Sequence, residues 1–362
     1  MNPAGNVLVS TYDHTAKTID AGVSLHDALE TGDDHDVPAI LVRASDNKLM
    51  AFYCRHAAND SHYYMRISSN ALDASAWAAE VDIAAQTGAV NPTYANAYQL
   101  TGETDSPIYL FWREYPDTAY SKSTDGGANW SAKKHIFANG EQRPYVQYAQ
   151  NGTSRIDILM TEGHPNSLKT SIYHGYYQAG NLYKSDGTLV GAMDSGPYNP
   201  TSFTRIYDGS TNRAWNWDIA IDGSGNPVVT YAVVENTAAH SYRYAKWNGS
   251  TWVDNALVAN AGTYIDGVTE PYYSGGCAID PQDVNIVYCS IQTGAGNWNV
   301  WKYVTADGGA NWTSTQVSYG VNKEIRPHVV SGHDGTQNLL FCKGAYASYT
   351  SFATMQIAMM TA

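Results

Sequence analysis

Basic residues are scarce in this chain. Its 362 residues include 21 Lys and Arg against 34 Asp and Glu, a net charge of −13. A surface of that sign excludes nucleic acid as a partner, and an acidic polymer could approach only at a local cationic cleft. Long apolar runs are also missing. No window approaches the roughly 18 apolar residues of a membrane span, so no membrane association is expected. The opening Met-Asn-Pro-Ala-Gly-Asn has neither the basic nor the apolar region of a secretory signal, a reading that leaves the compartment open. Cysteine is limited to Cys54, Cys277, Cys289 and Cys342, with no C-x-x-C spacing, which argues against a zinc ribbon or a thioredoxin-like motif. Cys277 and Cys289 flank a Pro-Gln-Asp turn. They are expected either to face each other across a hairpin or to sit apart as buried thiols. Linkers, low-complexity tracts and charge blocks are absent, so residues 1–362 read as a single domain.

What is abundant is Tyr (28), Gly (31) and Trp (10). Strand-forming aromatics with frequent turn glycines predict an all-β chain. Strand-like runs come in groups. Residues 37–42 and 49–54 flank a turn, followed by 63–68 and then Trp77. The plan recurs at 94–100, 108–113 and 119–123, closing on Trp130. Further groups begin near residues 145, 218, 274 and 328. The period is about 45–60 residues with three or four short strands each, the signature of a β-propeller with four-stranded antiparallel blades. Six units are clear. Residues 186–214 are irregular, and a blade hidden there would make seven, the preferred count, with six as the alternative. Residues 7–11 are expected to complete the last blade and close the ring.

One segment occurs twice. Residues 123–130 read Ser-Thr-Asp-Gly-Gly-Ala-Asn-Trp and residues 305–312 read Thr-Ala-Asp-Gly-Gly-Ala-Asn-Trp. The Asp can accept backbone N–H groups within the turn, the glycines supply left-handed backbone, and the Trp packs back on the hairpin. The pattern resembles the Asp-box of sialidase-like and other BNR-repeat propellers. It predicts architecture and carries no chemistry of its own.

Titratable residues gather at the ends of predicted inner strands. A propeller brings such ends to one face, and converging His, Tyr and Arg are the raw material of proton transfer beside an anion. The wording of these segments is DVPAILV (36–42), LMAFYCRH (49–56), TYANAYQL (93–100), YLFWR (109–113), RPYVQYA (143–149), RIDILMTEGHP (155–165), SIYHGYY (171–177) and LYKSDGT (182–188). RYAKWNG (243–249) and AIDPQDVNIVY (278–288) follow. In order and spacing they resemble the BNR-repeat polysaccharide lyases, especially the propeller-type ulvan lyases. The resemblance implies β-elimination on a uronic-acid polysaccharide, a secreted or periplasmic monomer, and no cofactor required for catalysis. It also implies roles. Tyr94 and His56 become the acid/base pair, Arg113 the carboxylate clamp, and His35 and His174 residues that orient the sugar. Tyr98 competes with Tyr94. His164, Arg143, Tyr242, Arg243 and Arg326 become substrate contacts.

Other readings stay open. Arg113 ends a very apolar strand, and Glu114 or Asp117 could pair with it structurally. Asp33, Asp34 and Asp36 with nearby histidines could hold a structural calcium or zinc ion, although no compact ligand spacing compels one. A sialidase-like hydrolase would recruit several arginines with Tyr272 and Glu270 as its nucleophile pair. A non-catalytic glycan-binding propeller would use the aromatics as stacking platforms.

Overall fold

The structure is a computed structural model and describes residues 5–29, 33–56, 60–236, 239–265, 270–352 and 354–362. It is 51% strand and 3% helix. The strands form antiparallel groups in chain order, as the alternation of aromatic and turn residues predicts. Three groups are four-stranded sheets, beginning at the strands Ala39–Val42, Pro92–Gln99 and Arg213–Ile221. A six-stranded sheet begins at Val146–Gln150. A seven-stranded sheet comprises two antiparallel groups, beginning at Cys277–Ile279 and Lys323–Val329, joined by one parallel pairing of Trp298 with Lys323.

Two expectations are corrected. Strand Val7–Val9 pairs antiparallel with Val23–His26, so it joins a local two-stranded ribbon and not the last group, whose edge is Gln356–Met360. Residues 186–214 form no group of their own. Leu189–Ala192 extends the third group, and Thr204–Tyr207 pairs with the first half of Ile172–Gln178 while Asn181–Lys184 pairs with its second half.

The chain packs as two compact units. The first contains Met1–Arg143, Gly152–Arg155 and Met193–Tyr198; the second contains Pro144–Asn151, Ile156–Ala192 and Asn199–Ala362. Each has its own core. In the first, Met50, Phe52, Leu110, Trp112 and Trp130 pack together. In the second, Tyr242, Tyr244, Val258 and Val287 anchor the largest cluster.

The duplicated turn does the same job in both units. Asp125 accepts from the Asn129 backbone (2.9 Å), and Ser123 Oγ accepts from Gly127 N (2.8 Å); Asp307 and Thr305 repeat this with Asn311 (2.9 Å) and Gly309 (2.9 Å). Gly127 (φ 94°) and Gly309 (φ 95°) are left-handed, and a Cβ there would lie 2.5 Å from Met50 and 2.6 Å from Tyr244. Only glycine allows so close an approach. Trp130 then meets Phe52 edge-on (5.6 Å), and Trp312 meets Tyr244 (5.1 Å). Each turn fastens one antiparallel group to the one before it.

Cys277 and Cys289 do face each other in register, with Sγ atoms 3.5 Å apart, as buried free thiols. No helix among the described residues is long and apolar enough to cross a membrane.

Candidate functional site

In the first unit, strand Ala39–Val42 pairs with Lys48–Cys54, Ala39 opposite Phe52. The residues just before the first strand and just after the second therefore share one end of the hairpin. This register brings His35 and His56 together, their imidazoles stacked at 4.3 Å and 18°. Asp33 holds both. Its Oδ1 lies 2.6 Å from His35 Nδ1 and its Oδ2 2.8 Å from His56 Nδ1. Asp36 accepts from the His56 backbone (2.5 Å), and Thr93 Oγ1 donates to His35 O (2.8 Å), tying in the neighbouring strand Pro92–Gln99.

That strand supplies Tyr94. Pairing with Ile108–Glu114 runs in register to Asn96 opposite Phe111, then resumes at Thr93 opposite Arg113. Tyr94 and Ala95 thus oppose Trp112 alone, a β-bulge, with Tyr94 at φ 58°. Such a backbone costs an aromatic residue on the order of 1–3 kcal/mol and re-aims its side chain. The Tyr94 ring lies 5.6 Å from His35, and the Arg113 guanidinium sits over it at 4.6 Å. Arg113, only 7% exposed, also places Nη2 3.2 Å from His56 Nε2.

One tautomer satisfies these contacts. Arg113 can only donate, so His56 Nε2 accepts, and Nδ1–H donates to Asp33. Burial pushes the His35 pKa down, and this outweighs the hydrogen bond donated to Asp33 that favours its charged form. For Asp33 burial acts upward, but the hydrogen bonds from His35 and His56 prevail and hold its carboxyl below the ordinary range. The site is therefore an ionised carboxylate, two stacked imidazoles, a tyrosine and a permanent cation, assembled from four strand ends.

Glu114 and Asp117 do not claim Arg113 by any short contact. Glu114 pairs with Lys133, and Asp117 with His135 (2.8 Å). Tyr98 lies four residues, about 13 Å, along the strand from Tyr94, with its ring near Phe111 (6.3 Å). Arg143 sits over Tyr115 (5.9 Å).

In the second unit, residues expected as substrate contacts have partners within the protein. His174 is fully buried between Asp157 (3.0 Å) and Ser185 (2.8 Å), where no sugar reaches it. Tyr242 is equally buried, donating to Ser290 O (3.0 Å) and accepting from Gly276 N (3.0 Å). Arg243 is locked on Asp254 (2.8 Å). In each case the strand pattern that placed the residue near an inner end concealed which face it takes. His164 is buried beside Glu270 (3.4 Å) and meets Tyr145 and Trp215 edge-on. Arg326 lies between Tyr273 and Tyr346. Tyr272 stacks under Arg213 (4.0 Å), while Glu270 accepts from Asn166 (3.0 Å), so each half of the hydrolase pair has another partner.

Asp33, His35 and His56 also offer ligand atoms within 4.8 Å of one another, a nitrogen-rich set that suits zinc better than calcium. Such an ion would displace the hydrogen bonds that orient both imidazoles. The sequence marked Asp33 only as a metal candidate. Its spacing, Asp-x-His, was the available signal for its role as their shared acceptor.

Residues 1–260 match the sequence pattern described as a BNR repeat-containing family member. No curated protein is similar enough in sequence to match. Among solved structures, an ulvan lyase from a new polysaccharide lyase family, bound to -[GlcA(1-4)Rha3S]-, superposes with a TM-score of 0.71. It is 14% identical over 99% of this chain and 88% of that one. The polysaccharide lyase Uly1 gives 0.58 at 11% identity over 99% and 85%. The intramolecular trans-sialidase from Ruminococcus gnavus, in complex with oseltamivir carboxylate, gives 0.51 at 11% over 91% and 96%. At these identities the likeness is one of fold.

Proposed function

The chain belongs to the BNR repeat-containing family, and from that premise we propose that it is a polysaccharide lyase cleaving a uronic-acid-containing, ulvan-like polysaccharide by β-elimination. The observation that carries the reading is Arg113. Its guanidinium touches both groups able to move a proton, the Tyr94 ring at 4.6 Å and His56 Nε2 at 3.2 Å. A fork of fixed charge at that point suits a uronate carboxylate. Clamping it acidifies the adjacent C5–H. One member of the Tyr94–His56 pair takes that proton, the electron pair forms C4=C5, and the C4–O bond breaks. The other member protonates the leaving oxygen, and no water is consumed. Asp33 fixes the His56 tautomer, and His35 contacts the sugar. Arg143 is a further contact within the same unit.

Catalysis in this scheme needs no cofactor. Chelation by EDTA leaves the rate unchanged, while added Zn2+ inhibits by capturing Asp33, His35 and His56. Loss of activity on chelation would reassign the cluster as a required metal site. The direct test uses a panel of uronate polysaccharides, with ultraviolet absorbance reporting the unsaturated product. His56→Ala should abolish the signal and leave thermal unfolding unchanged; full activity in that variant rules out the acid/base pair. The neighbouring trans-sialidase keeps hydrolysis as the alternative, separable by reducing ends formed without absorbance.

A further inference from the structure

We propose that Cys277 and Cys289 are the two halves of a disulfide that the second unit acquires as it folds in an oxidising medium. The proposal goes beyond the lyase reading and does not rest on it. Strand Cys277–Ile279 pairs antiparallel with Ile286–Gly294, and the register sets Cys277 opposite Cys289, Ala278 opposite Tyr288 and Ile279 opposite Val287. Ser290 N donates to Gly276 O (2.9 Å). A bond between the residues flanking the two cysteines marks Cys277 and Cys289 as a non-hydrogen-bonded pair of the ladder. In such pairs the Cα atoms stand nearest, about 4.5 Å apart, a spacing that a disulfide spans. The Sγ atoms lie 3.5 Å apart. Closing them to a bond of about 2.05 Å takes side-chain rotation and no change of register.

The hairpin that presents the two thiols is locally determined. Asp280 Oδ1 accepts from Gln282 N (2.9 Å), Asp283 Oδ1 accepts from Asn285 N (3.1 Å), and Asp280 N donates to Ile286 O (2.9 Å). Asx turns of this kind act within a few residues, so the thiols meet before distant strands dock. In the folded chain both sulfurs are covered. Cys277 is 3% exposed and Cys289 0%, among Tyr242, Val258, Ile279 and Val287. Burial raises the Cys277 pKa well above the ordinary thiol value, so little thiolate is present to react. Oxidation therefore precedes burial, and burial then shields the bond from reductants. Cys54 belongs to the first unit, and Cys342 stands opposite Ile325 and Ile357 in its own ladder, so register singles out Cys277 and Cys289. The oxidant is a small-molecule or protein disulfide. One cysteine thiolate attacks it, forming a mixed disulfide and releasing one thiol. The second cysteine thiolate attacks the protein sulfur of that mixed bond and expels the other thiol. Two electrons and two protons pass from the pair to the oxidant.

The full chain, purified under reducing conditions, is incubated with oxidised glutathione at graded urea concentrations, quenched in acid and alkylated, and its cysteines are mapped by peptide mass. A bond between Cys277 and Cys289 is expected, forming faster as urea opens the unit. It should form equally in Cys54→Ser and in Cys342→Ser. Once closed, it should survive reduced glutathione in native buffer and be lost to it in urea. Closure of this short loop should raise the unfolding temperature by about 3–10 °C. Glutathione adducts on both cysteines with no bond between them overturn the proposal, as does preferential pairing of either with Cys54 or Cys342. So does closure as fast without urea as with it, or a closed bond that lowers the unfolding temperature.

Discussion

Arg113 keeps its charge while almost buried, so its neighbours decide its use. They include an imidazole acceptor, His56, and the ring of Tyr94. The Tyr94 position follows from one bulge. Tyr94→Phe should therefore reduce kcat by about 10²–10⁴-fold, the span of a lost proton-transfer group. Tyr98→Phe, on the far side of the bulge, should stay within about threefold; steady-state rates on one uronate polysaccharide check both. Asp33→Asn removes the acceptor that sets both imidazole tautomers. A drop of about 10–100-fold in the rate is expected, and an unchanged rate would leave Asp33 no part in positioning the pair.

At the scale of elements, the strands and the duplicated turn were legible because period-two aromatics, glycines and an Asp at fixed offset act locally. His35, His56, Tyr94 and Arg113 were legible as strand-end residues, and the hairpin register brings them together. Tyr94's bulge was not legible, since nothing between Thr93 and Asn96 signals an extra residue. Nor was the inward turn of His174 and Tyr242, which depends on packing between sheets. His240 illustrates such a hidden position. It is 1% exposed in strand Ala239–Trp247, and burial pushes its pKa down to about 4. The folded value lies below the unfolded one. The stability this residue permits is thus complete above about pH 6.5 and is lost as pH falls through 4, by on the order of 3 kcal/mol. Denaturant unfolding across that window should show the loss, and His240→Leu should flatten it. An equal slope in the variant would place the proton elsewhere.

At the scale of the whole molecule, an acidic chain acting on an acidic polymer must confine its cations to a few places. Arg113 is one such place, paired with Thr93 next to the left-handed Tyr94. The fold admits lyases and a trans-sialidase alike, so the backbone does not decide the reaction. The measurement that does is a paired one: ultraviolet absorbance and reducing ends followed in a single digestion of a glucuronate–rhamnose-3-sulfate polysaccharide. β-Elimination predicts that the two rise together, one unsaturated uronate for each new end. Reducing ends that accumulate without absorbance would contradict the account and assign the chain to hydrolysis.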